Sequence, residues 1–183
     1  MHHLGTKLLE TERLVLRPFA VNDADAMYHN WASDPEVTKY LTWPTHTDIE
    51  VTKAILEDWV SHYSDPQYYH WAIVPKNNGN APIGCIAVVD LEDAVEKATV
   101  GYCIGRPWWH QGIMTEALAA VLDFLLEHVG VRRADAYHDP RNPHSGAVMR
   151  KCGMVYEGTL RASDRNNQGI CDACWYAILK EPK

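Results

Sequence analysis

Apolar residues alternate with polar ones along several short stretches, and this spacing is typical of β-strands. Leu14 and Leu16 alternate with Val15 and Arg17, which predicts a first strand over residues 13–19. Similar patterns predict six more strands, over residues 69–74, 83–91, 99–105, 133–137, 154–161 and 170–179. The last two are expected to form a hairpin, because the polar run 165–169 between them is typical of a turn.

Helical spacing appears in four other stretches. Leu118, Val121 and Leu122 belong to an apolar series that predicts a helix over residues 115–128, ended by Gly130. The other three predicted helices begin at Asn22 or Asp23, at Thr47 in a capping box with Glu50, and at Ser145. The resulting element order predicts a single α/β domain over residues 1–183, a mixed sheet with helices on both faces.

Composition and charge exclude several classes of protein. The chain has 183 residues, 46 % hydrophobic, and its 17 basic and 24 acidic side chains give a net charge of −7. A negative surface repels nucleic-acid backbones and attracts cations, so a nucleic-acid partner is not expected. Residues 118–126 form the longest apolar run, too short to span a membrane and interrupted by Asp123. The N-terminal sequence lacks the apolar segment of a secretion signal, so the expected location is the cytoplasm.

The cysteines indicate neither disulfides nor a metal site. Their odd number, five, argues against a disulfide framework. Cys171 and Cys174 have C-x-x-C spacing, but on a strand residues three apart point to opposite faces, which does not suit a zinc or redox pair. The histidines form no H-E-x-x-H pattern, and we therefore expect no metal.

The segment from Gly105 to Ala117, G-R-P-W-W-H-Q-G-I-M-T-E-A, connects a predicted strand to a predicted helix. The start of a helix offers free backbone N–H groups and the positive end of the helix dipole, which suit a phosphate. Gly112 would let the main chain approach such an anion closely. A single glycine in such a turn is also compatible with an ordinary turn, and the segment is neither a Walker loop nor a G-x-G-x-x-G motif.

Taken together, four stretches resemble the GNAT superfamily of N-acetyltransferases, and within it the RimJ/RimL-like branch. These stretches are L-E-T-E-R-L-V-L-R-P-F near the N-terminus, W-H-Q-G-I-M-T-E-A from Trp109, N-P-H-S-G-A-V-M-R-K-C-G-M-V-Y-E-G-T-L-R from Asn142, and the strand ending at Leu179. The resemblance implies a GNAT-like fold: a mostly antiparallel sheet of about seven strands, splayed in the middle and flanked by about four helices.

The resemblance also implies a co-substrate, acetyl-CoA, as acyl donor. Its pantetheine arm would lie between strands 99–105 and 133–137, held by backbone of Cys103, Ile104 and Gly105. The pyrophosphate would be held by the loop and the first helical turn, that is, by Trp109, His110, Gln111, Gly112, Ile113, Met114 and Thr115. Asn142 matches the family asparagine that binds the arm, with Ser145 beside it. His110 departs from the usual glycine, and it is expected either to be strained if its φ is positive, to donate to a phosphate, or to be an ordinary surface residue.

Acyl transfer to an amine needs a group that protonates the leaving thiolate and a base that deprotonates the ammonium. Many family members use a tyrosine as the acid, but Met149 occupies that position here, and the RimL-like pattern implies Ser145 instead. Ser145 is also compatible with a helix cap. Two carboxylates are candidate bases, Asp164 and Asp90, and for each the alternative is a solvated side chain.

The acceptor groove is expected between the first two helices and the last hairpin. The run Tyr40-Leu41-Thr42-Trp43-Pro44, with Tyr68, Tyr69 and Trp71, supplies aromatic faces that could bind an ammonium or simply belong to the core. The expected function is acetyl-CoA-dependent N-acetylation of a primary amine, either a protein N-terminus or a small molecule. A non-catalytic acyl-CoA-binding module is the alternative, and a monomer and a homodimer are both compatible with the sequence.

Overall fold

The polypeptide forms one eight-stranded sheet with helices on both faces, described here for residues 1–180 from a computed structural model. The strands are β1 (Leu9–Glu10), β2 (Leu14–Arg17), β3 (His70–Pro75), β4 (Gly84–Glu92), β5 (Lys97–Ile104), β6 (Arg133–His138), β7 (Val155–Asn166) and β8 (Gly169–Leu179). Their spatial order is β1-β2-β3-β4-β5-β6-β8-β7. The α-helices are α1 (Ala24–Met27), α2 (Pro35–Thr38), α3 (Ile49–Ser61), α4 (Ile113–Asp123) and α5 (Pro143–Lys151). The last three residues of the predicted 1–183 domain lie outside the described residues.

The predicted mixed α/β sheet is confirmed, including its splay. All neighbouring strands pair antiparallel except β5 and β6, which are parallel. That parallel pairing covers only residues 97–99 of β5 and 133–135 of β6, so the two strands diverge beyond Thr99 and Asp135. The additional strand relative to the prediction is β1, whose two residues are too few to give a periodic signal.

Alternation along the strands divides the core into two halves. Trp71 and Ile73 of β3 pack with α4 on one face, whereas Ala72 and Val74 pack on the other face with the cluster formed by α1 to α3. This is the two-residue period of a strand buried on both sides. Trp71 is fully buried, so it belongs to the core and not to an acceptor groove.

Two predicted helix starts differ from the structure. Asp48, not Thr47, caps α3 by accepting a hydrogen bond from the N–H of Glu50 at 2.9 Å. Helix α5 begins at Pro143, with Asn142 at the N-cap position, so Ser145 lies within the first turn instead of capping the helix. Proline suits the first position of a helix because its missing N–H would have no partner there.

None of the helices within residues 1–180 has the length and apolarity that crossing a bilayer requires.

Candidate active site

A buried hydrogen-bonded clamp marks the point at which β5 and β6 separate. The hydroxyl of Thr99 donates to the carboxylate of Asp135 at 2.7 Å. Arg133 donates to the same carboxylate at 3.0 Å and reaches Glu157 of β7 with two further bonds, of 3.0 and 2.6 Å. The clamp holds the strands together on one side of this point and leaves their edges unpaired on the other.

On the side of β5 that faces the gap, the main-chain groups without a partner strand come from alternate residues. The N–H of Gly105 donates to the carbonyl of Ile83 at 2.9 Å, and antiparallel pairing then directs every second residue of β5 toward β4. The main-chain N–H and C=O groups of Tyr102 and Ile104 therefore face the gap, whereas those of Cys103 face its register partner on β4. The outward-facing main chain at this edge is therefore that of Tyr102 and Ile104, whereas the sequence led us to expect ligand contacts at Cys103, Ile104 and Gly105. The carbonyl of Ile104 accepts a hydrogen bond from the Trp109 indole at 2.8 Å, which leaves its N–H for a ligand.

A cavity of about 310 Å³ lies at this gap, between the end of β5, the loop after it and the start of α5. Ten of the predicted cofactor-binding residues line it: Cys103, Ile104, Trp109, His110, Gly112, Ile113, Met114, Thr115, Asn142 and Ser145. Gly105 and Gln111 do not. Gln111 instead supports the loop, because its carbonyl accepts a hydrogen bond from Arg13 at 2.9 Å.

Helix α4 begins beside this cavity, in a loop with two left-handed residues. Gly112 caps the helix with a φ of +74°, a conformation that glycine adopts without strain. His110 has a φ of +60°, so the strained conformation considered from the sequence is the one observed. Its ring packs edge-on against His144 of α5, with 4.8 Å between the ring centroids. The first N–H groups of α4 have no partner within the helix and point toward the loop.

Glu116, in the first turn of α4, fixes the loop to the N-terminal part of the chain. Its carboxylate accepts hydrogen bonds from Thr11 at 2.5 Å, from the N–H of Arg13 at 2.8 Å and from the Arg13 guanidinium at 2.6 Å. Partial burial alone would raise the pKa of Glu116, but these hydrogen bonds outweigh it and hold the pKa below its ordinary value.

A second cavity, of about 510 Å³, adjoins the first. The residues shared by their linings are Tyr40, Leu41, Tyr102, Cys103, Asn142 and Ser145. Of the predicted aromatic residues, Tyr40, Trp43, Tyr68 and Tyr69 line the second cavity, as do Leu41 and Thr42. The two cavities therefore meet beside the predicted arm-binding asparagine and the predicted acid.

Ser145 and Tyr102 are joined by two hydrogen bonds at this junction. The Tyr102 hydroxyl donates to the Ser145 carbonyl at 2.9 Å, and the Ser145 hydroxyl donates to the Tyr102 oxygen at 3.1 Å. Burial raises the pKa of Tyr102 well above its ordinary value, so this residue keeps its proton. The side-chain amide of Asn142 makes no hydrogen bond within residues 1–180 and is free for a ligand. Met149, one turn after Ser145, is buried in the core.

The two candidate bases lie in different places. Asp164 is half-buried in the wall of the second cavity. Asp90 lies outside both cavities at a bulge of β4, 62 % exposed and paired with Lys97 at 3.4 Å. The structure therefore brings Asp164 to the candidate site and leaves Asp90 on the surface.

The last hairpin holds one wall of the second cavity in place. The side chain of Asn167 donates to the carbonyls of Thr38 and Trp43 at 2.8 Å each, and its N–H donates to the carbonyl of Leu41 at 3.2 Å. The preceding residue, Asn166, donates to the buried carboxylate of Asp139 at 2.8 Å. Residues 38–43, which include the shared lining residues Tyr40 and Leu41, are thus fixed by the β7–β8 turn.

Two of these residues, Tyr102 and His138, were not among the site residues predicted from the sequence, although Tyr102 was an alternative to Ser145 as the acid. Tyr102 could have been suggested by its place near the end of the strand before the loop, but its bond to Ser145 depends on where α5 begins. His138 lines the second cavity, donates from Nδ1 to the Asp139 carbonyl at 2.8 Å, and has a buried Nε2 without a partner in the described chain. That nitrogen faces Gly146 of α5, where an added Cβ would lie 2.4 Å away, so packing and not proton transfer explains its position.

Comparison with known proteins places this geometry in context. The family model for the acetyltransferase (GNAT) domain matches residues 13–155. An uncharacterized N-acetyltransferase p20 from Bacillus licheniformis is 28 % identical over 173 residues, covering 94 % of this chain and 96 % of that protein.

Two solved structures have the same fold at lower identity. The ribosomal L7/L12 alpha-N-protein acetyltransferase RimL, in complex with coenzyme A, has a TM-score of 0.83 at 20 % identity, covering 94 % of this chain and 98 % of RimL. The microcin C7 self-immunity acetyltransferase MccE, in complex with acetyl-CoA and AMP, has a TM-score of 0.81 at 21 % identity, covering 92 % of this chain and 93 % of MccE.

Proposed function

The chain belongs to the GNAT acetyltransferase family, and we propose that it transfers the acetyl group of acetyl-CoA to a primary amine bound in the second cavity. The observation that carries this proposal is the junction of the two cavities at Tyr102, Asn142 and Ser145. A donor along the β5–β6 gap and an amine in the second cavity would meet there.

The residues of the first cavity fit acetyl-CoA. An extended arm can pair with a free strand edge, and Tyr102 and Ile104 offer such an edge. The free amide of Asn142 lies on the same cavity wall. The helix start at Gly112 suits a pyrophosphate, because unpaired N–H groups and the helix dipole both favour an anion there. Acetyl-CoA, when bound, supplies the acetyl group as a thioester.

Ser145 is proposed to protonate the leaving thiolate. Its hydroxyl lies at the junction and already has a partner in Tyr102, whose oxygen orients it. Tyr102 holds its own proton on the Ser145 carbonyl, so we assign it a positioning role. Met149 has no proton to give and is buried, which leaves Ser145 as the hydroxyl on this face of α5.

Asp164 is proposed to accept the proton of the ammonium, directly or through water. It lies in the wall of the second cavity, and no basic side chain of residues 1–180 lies within 4.0 Å of its carboxylate. Asp90 is less suited, since it lines neither cavity and is paired with Lys97.

The test is acetyl transfer to a panel of primary amines, followed as acetylated product, with acetyl-CoA affinity measured separately by calorimetry. General acid–base groups contribute about 10²–10⁴-fold, so Ser145→Ala and Asp164→Asn are each expected to lower kcat by that order. Acetyl-CoA affinity should stay near that of the wild type in both variants. Asp90→Asn is the matched control and should keep wild-type kcat.

Three results would contradict the proposal. A protein that binds acetyl-CoA but acetylates no amine would be an acyl-CoA-binding module. Loss of activity in Asp90→Asn but not in Asp164→Asn would reassign the base. Full activity in Ser145→Ala together with loss in Tyr102→Phe would make Tyr102 the acid.

The acceptor expected from the resemblance, a protein N-terminus or a small amine, stays a prediction. RimL is named for a ribosomal protein and MccE for immunity to a microcin, so the shared fold alone is compatible with both kinds of acceptor.

A further inference from the structure

The charged residues that line the second cavity have one sign. Among the described residues in its wall are three aspartates, Asp58, Asp139 and Asp164, and neither a lysine nor an arginine. An acceptor with a carboxylate or phosphate would therefore meet carboxylates in this cavity without a permanent cation in its lining to offset them.

The three carboxylates are not equivalent. Asp139 is buried and already neutralised by Arg141, whose guanidinium lies 2.5 Å from it, and by a hydrogen bond from Asn166. Asp58 lies at the rim, 68 % exposed and 4.0 Å from His62. Asp164 has no positively charged side chain within 4.0 Å among residues 1–180. It is thus the negative charge of the inner wall that lacks a partner.

Aromatic rings cover much of the remaining wall. The rings of Trp59 and His70 pack in a tilted arrangement with centroids 4.0 Å apart, and the Tyr68 hydroxyl lies 3.1 Å from Nδ1 of His70. The Tyr137 ring packs in a tilted arrangement against Trp175, with 4.6 Å between the ring centroids. Burial and the nearby charge of Asp164 both raise the pKa of Tyr137, so its hydroxyl remains protonated.

Three histidines also line the cavity, His62, His70 and His138. Burial lowers the pKa of His138, which stays neutral. His70 is buried between Trp59 and Tyr68 and presents its ring as an aromatic surface. His62 lies at the exposed rim, beside Asp58.

We infer that the acceptor is a small primary amine whose body is aromatic or otherwise apolar and carries no carboxylate or phosphate. This inference rests on the proposed function. The ammonium would lie near Asp164 and Tyr137, where a carboxylate and a ring face both attract a cation. The body would pack on the rings around Trp59 and Tyr68. The cavity volume of about 510 Å³ lies within the usual range of small-molecule sites.

A matched set of acceptors tests the inference directly. Phenethylamine and phenylalanine share a ring and a primary amine and differ by one carboxylate, and phenylalaninamide replaces that carboxylate with a neutral group. Since an uncompensated charge in the cavity costs at least about 1.4 kcal/mol, kcat/KM is expected to be tenfold or more higher for phenethylamine than for phenylalanine. Phenylalaninamide should lie near phenethylamine.

Charge reversal at the rim provides a second, independent readout. Asp58→Lys adds a cation to the cavity entrance at an exposed position, so the fold should tolerate it. The ratio of kcat/KM between phenethylamine and phenylalanine is expected to narrow by severalfold. Asp25→Lys makes the same charge change at a position that is 82 % exposed and outside the cavity lining, and it should leave the ratio unchanged.

Several results would overturn the inference. These are equal or better acetylation of phenylalanine, a tenfold preference for spermidine, or a tenfold preference for a peptide with an N-terminal phenylalanine, which would favour a protein N-terminus. If the proposed function itself is wrong, the protein binds acetyl-CoA but acetylates none of these amines. That result would overturn the inference together with the proposed function.

Discussion

Gly112 offers the sharpest test of the loop at the start of α4. Its φ of +74° lies in the left-handed region, which costs a residue with a side chain about 1–2 kcal/mol. A Cβ added there would meet only Arg13, at 3.5 Å, which is an ordinary contact. Gly112→Ala therefore perturbs the backbone conformation and leaves the packing nearly unchanged.

The strain of about 1–2 kcal/mol can appear in two ways. If the free loop relaxes, coenzyme A must restore the strained conformation on binding, and its Kd rises by about 5- to 30-fold. If the free loop keeps its conformation, the same strain lowers the stability of the fold. For a chain of this length each kcal/mol shifts Tm by about 2–4 °C. A loop that shifts to avoid the strain also loses the N–H geometry that the pyrophosphate requires.

Gly130→Ala is the matched control. Gly130 ends the helical segment after α4 with a φ of +82°, and nothing lies within 4 Å of an added Cβ. Gly130→Ala should lower Tm by the amount expected for the same strain, but its affinity for coenzyme A should equal that of the wild type. Calorimetry for Kd and thermal unfolding for Tm separate the two effects. Wild-type Tm together with wild-type coenzyme A affinity in Gly112→Ala would refute the assignment of the loop.

Two further predictions concern the hydrogen-bonded carboxylates of Asp135 and Glu116. Thr99→Val removes the 2.7 Å hydrogen bond to Asp135 and should lower the free energy of unfolding, measured by urea titration, by about 1–3 kcal/mol. Thr99→Ser keeps the hydroxyl and should retain most of the wild-type stability. Wild-type stability in Thr99→Val would show that this hydrogen bond contributes nothing. The pKa of Glu116 is lower in the folded protein than its ordinary value of 4.5, so the ionised carboxylate stabilises the fold above pH 4.5. This contribution is lost as the pH falls through the lower pKa of the folded state. The Tm difference between wild type and Glu116→Gln should therefore be largest near pH 7 and shrink below pH 4.5, and a difference independent of pH would contradict the ionic role.

The regular elements were predictable because their patterns are local. The apolar series around Leu118 placed α4 to within a few residues, and alternation placed β3 to β6. The region of residues 21–38 was not predictable in detail. It contains a 3₁₀ turn, two four-residue α-helices and a wide helical turn at Tyr28–Ala32, segments too short for any period to establish itself.

The candidate site was predictable in part, for a related physical reason. The cofactor loop is contiguous, so one stretch of sequence contained most of its residues. The junction depends on partners far apart: Tyr102 and Ser145 are separated by 43 positions, and a start of α5 two residues earlier than predicted changes which groups Ser145 meets. Asp90 and Asp164 looked alike in sequence, and only the bulge of β4 and the cavity wall distinguish them. The absence of a metal, the oligomeric state and the cytoplasmic location stay predictions.

The hydrogen bonds from Asn167 to residues 38–43 have a consequence for the order of assembly. They join positions 124 and 129 residues apart, whereas the lining of the first cavity is complete at Lys151. During synthesis on the ribosome, every residue that lines the first cavity emerges before the hairpin that fixes residues 38–43 in the wall of the second cavity. Closing so long a loop late in folding is entropically costly, and the wall of the second cavity at residues 38–43 is therefore expected to be the last part of the candidate site to become ordered.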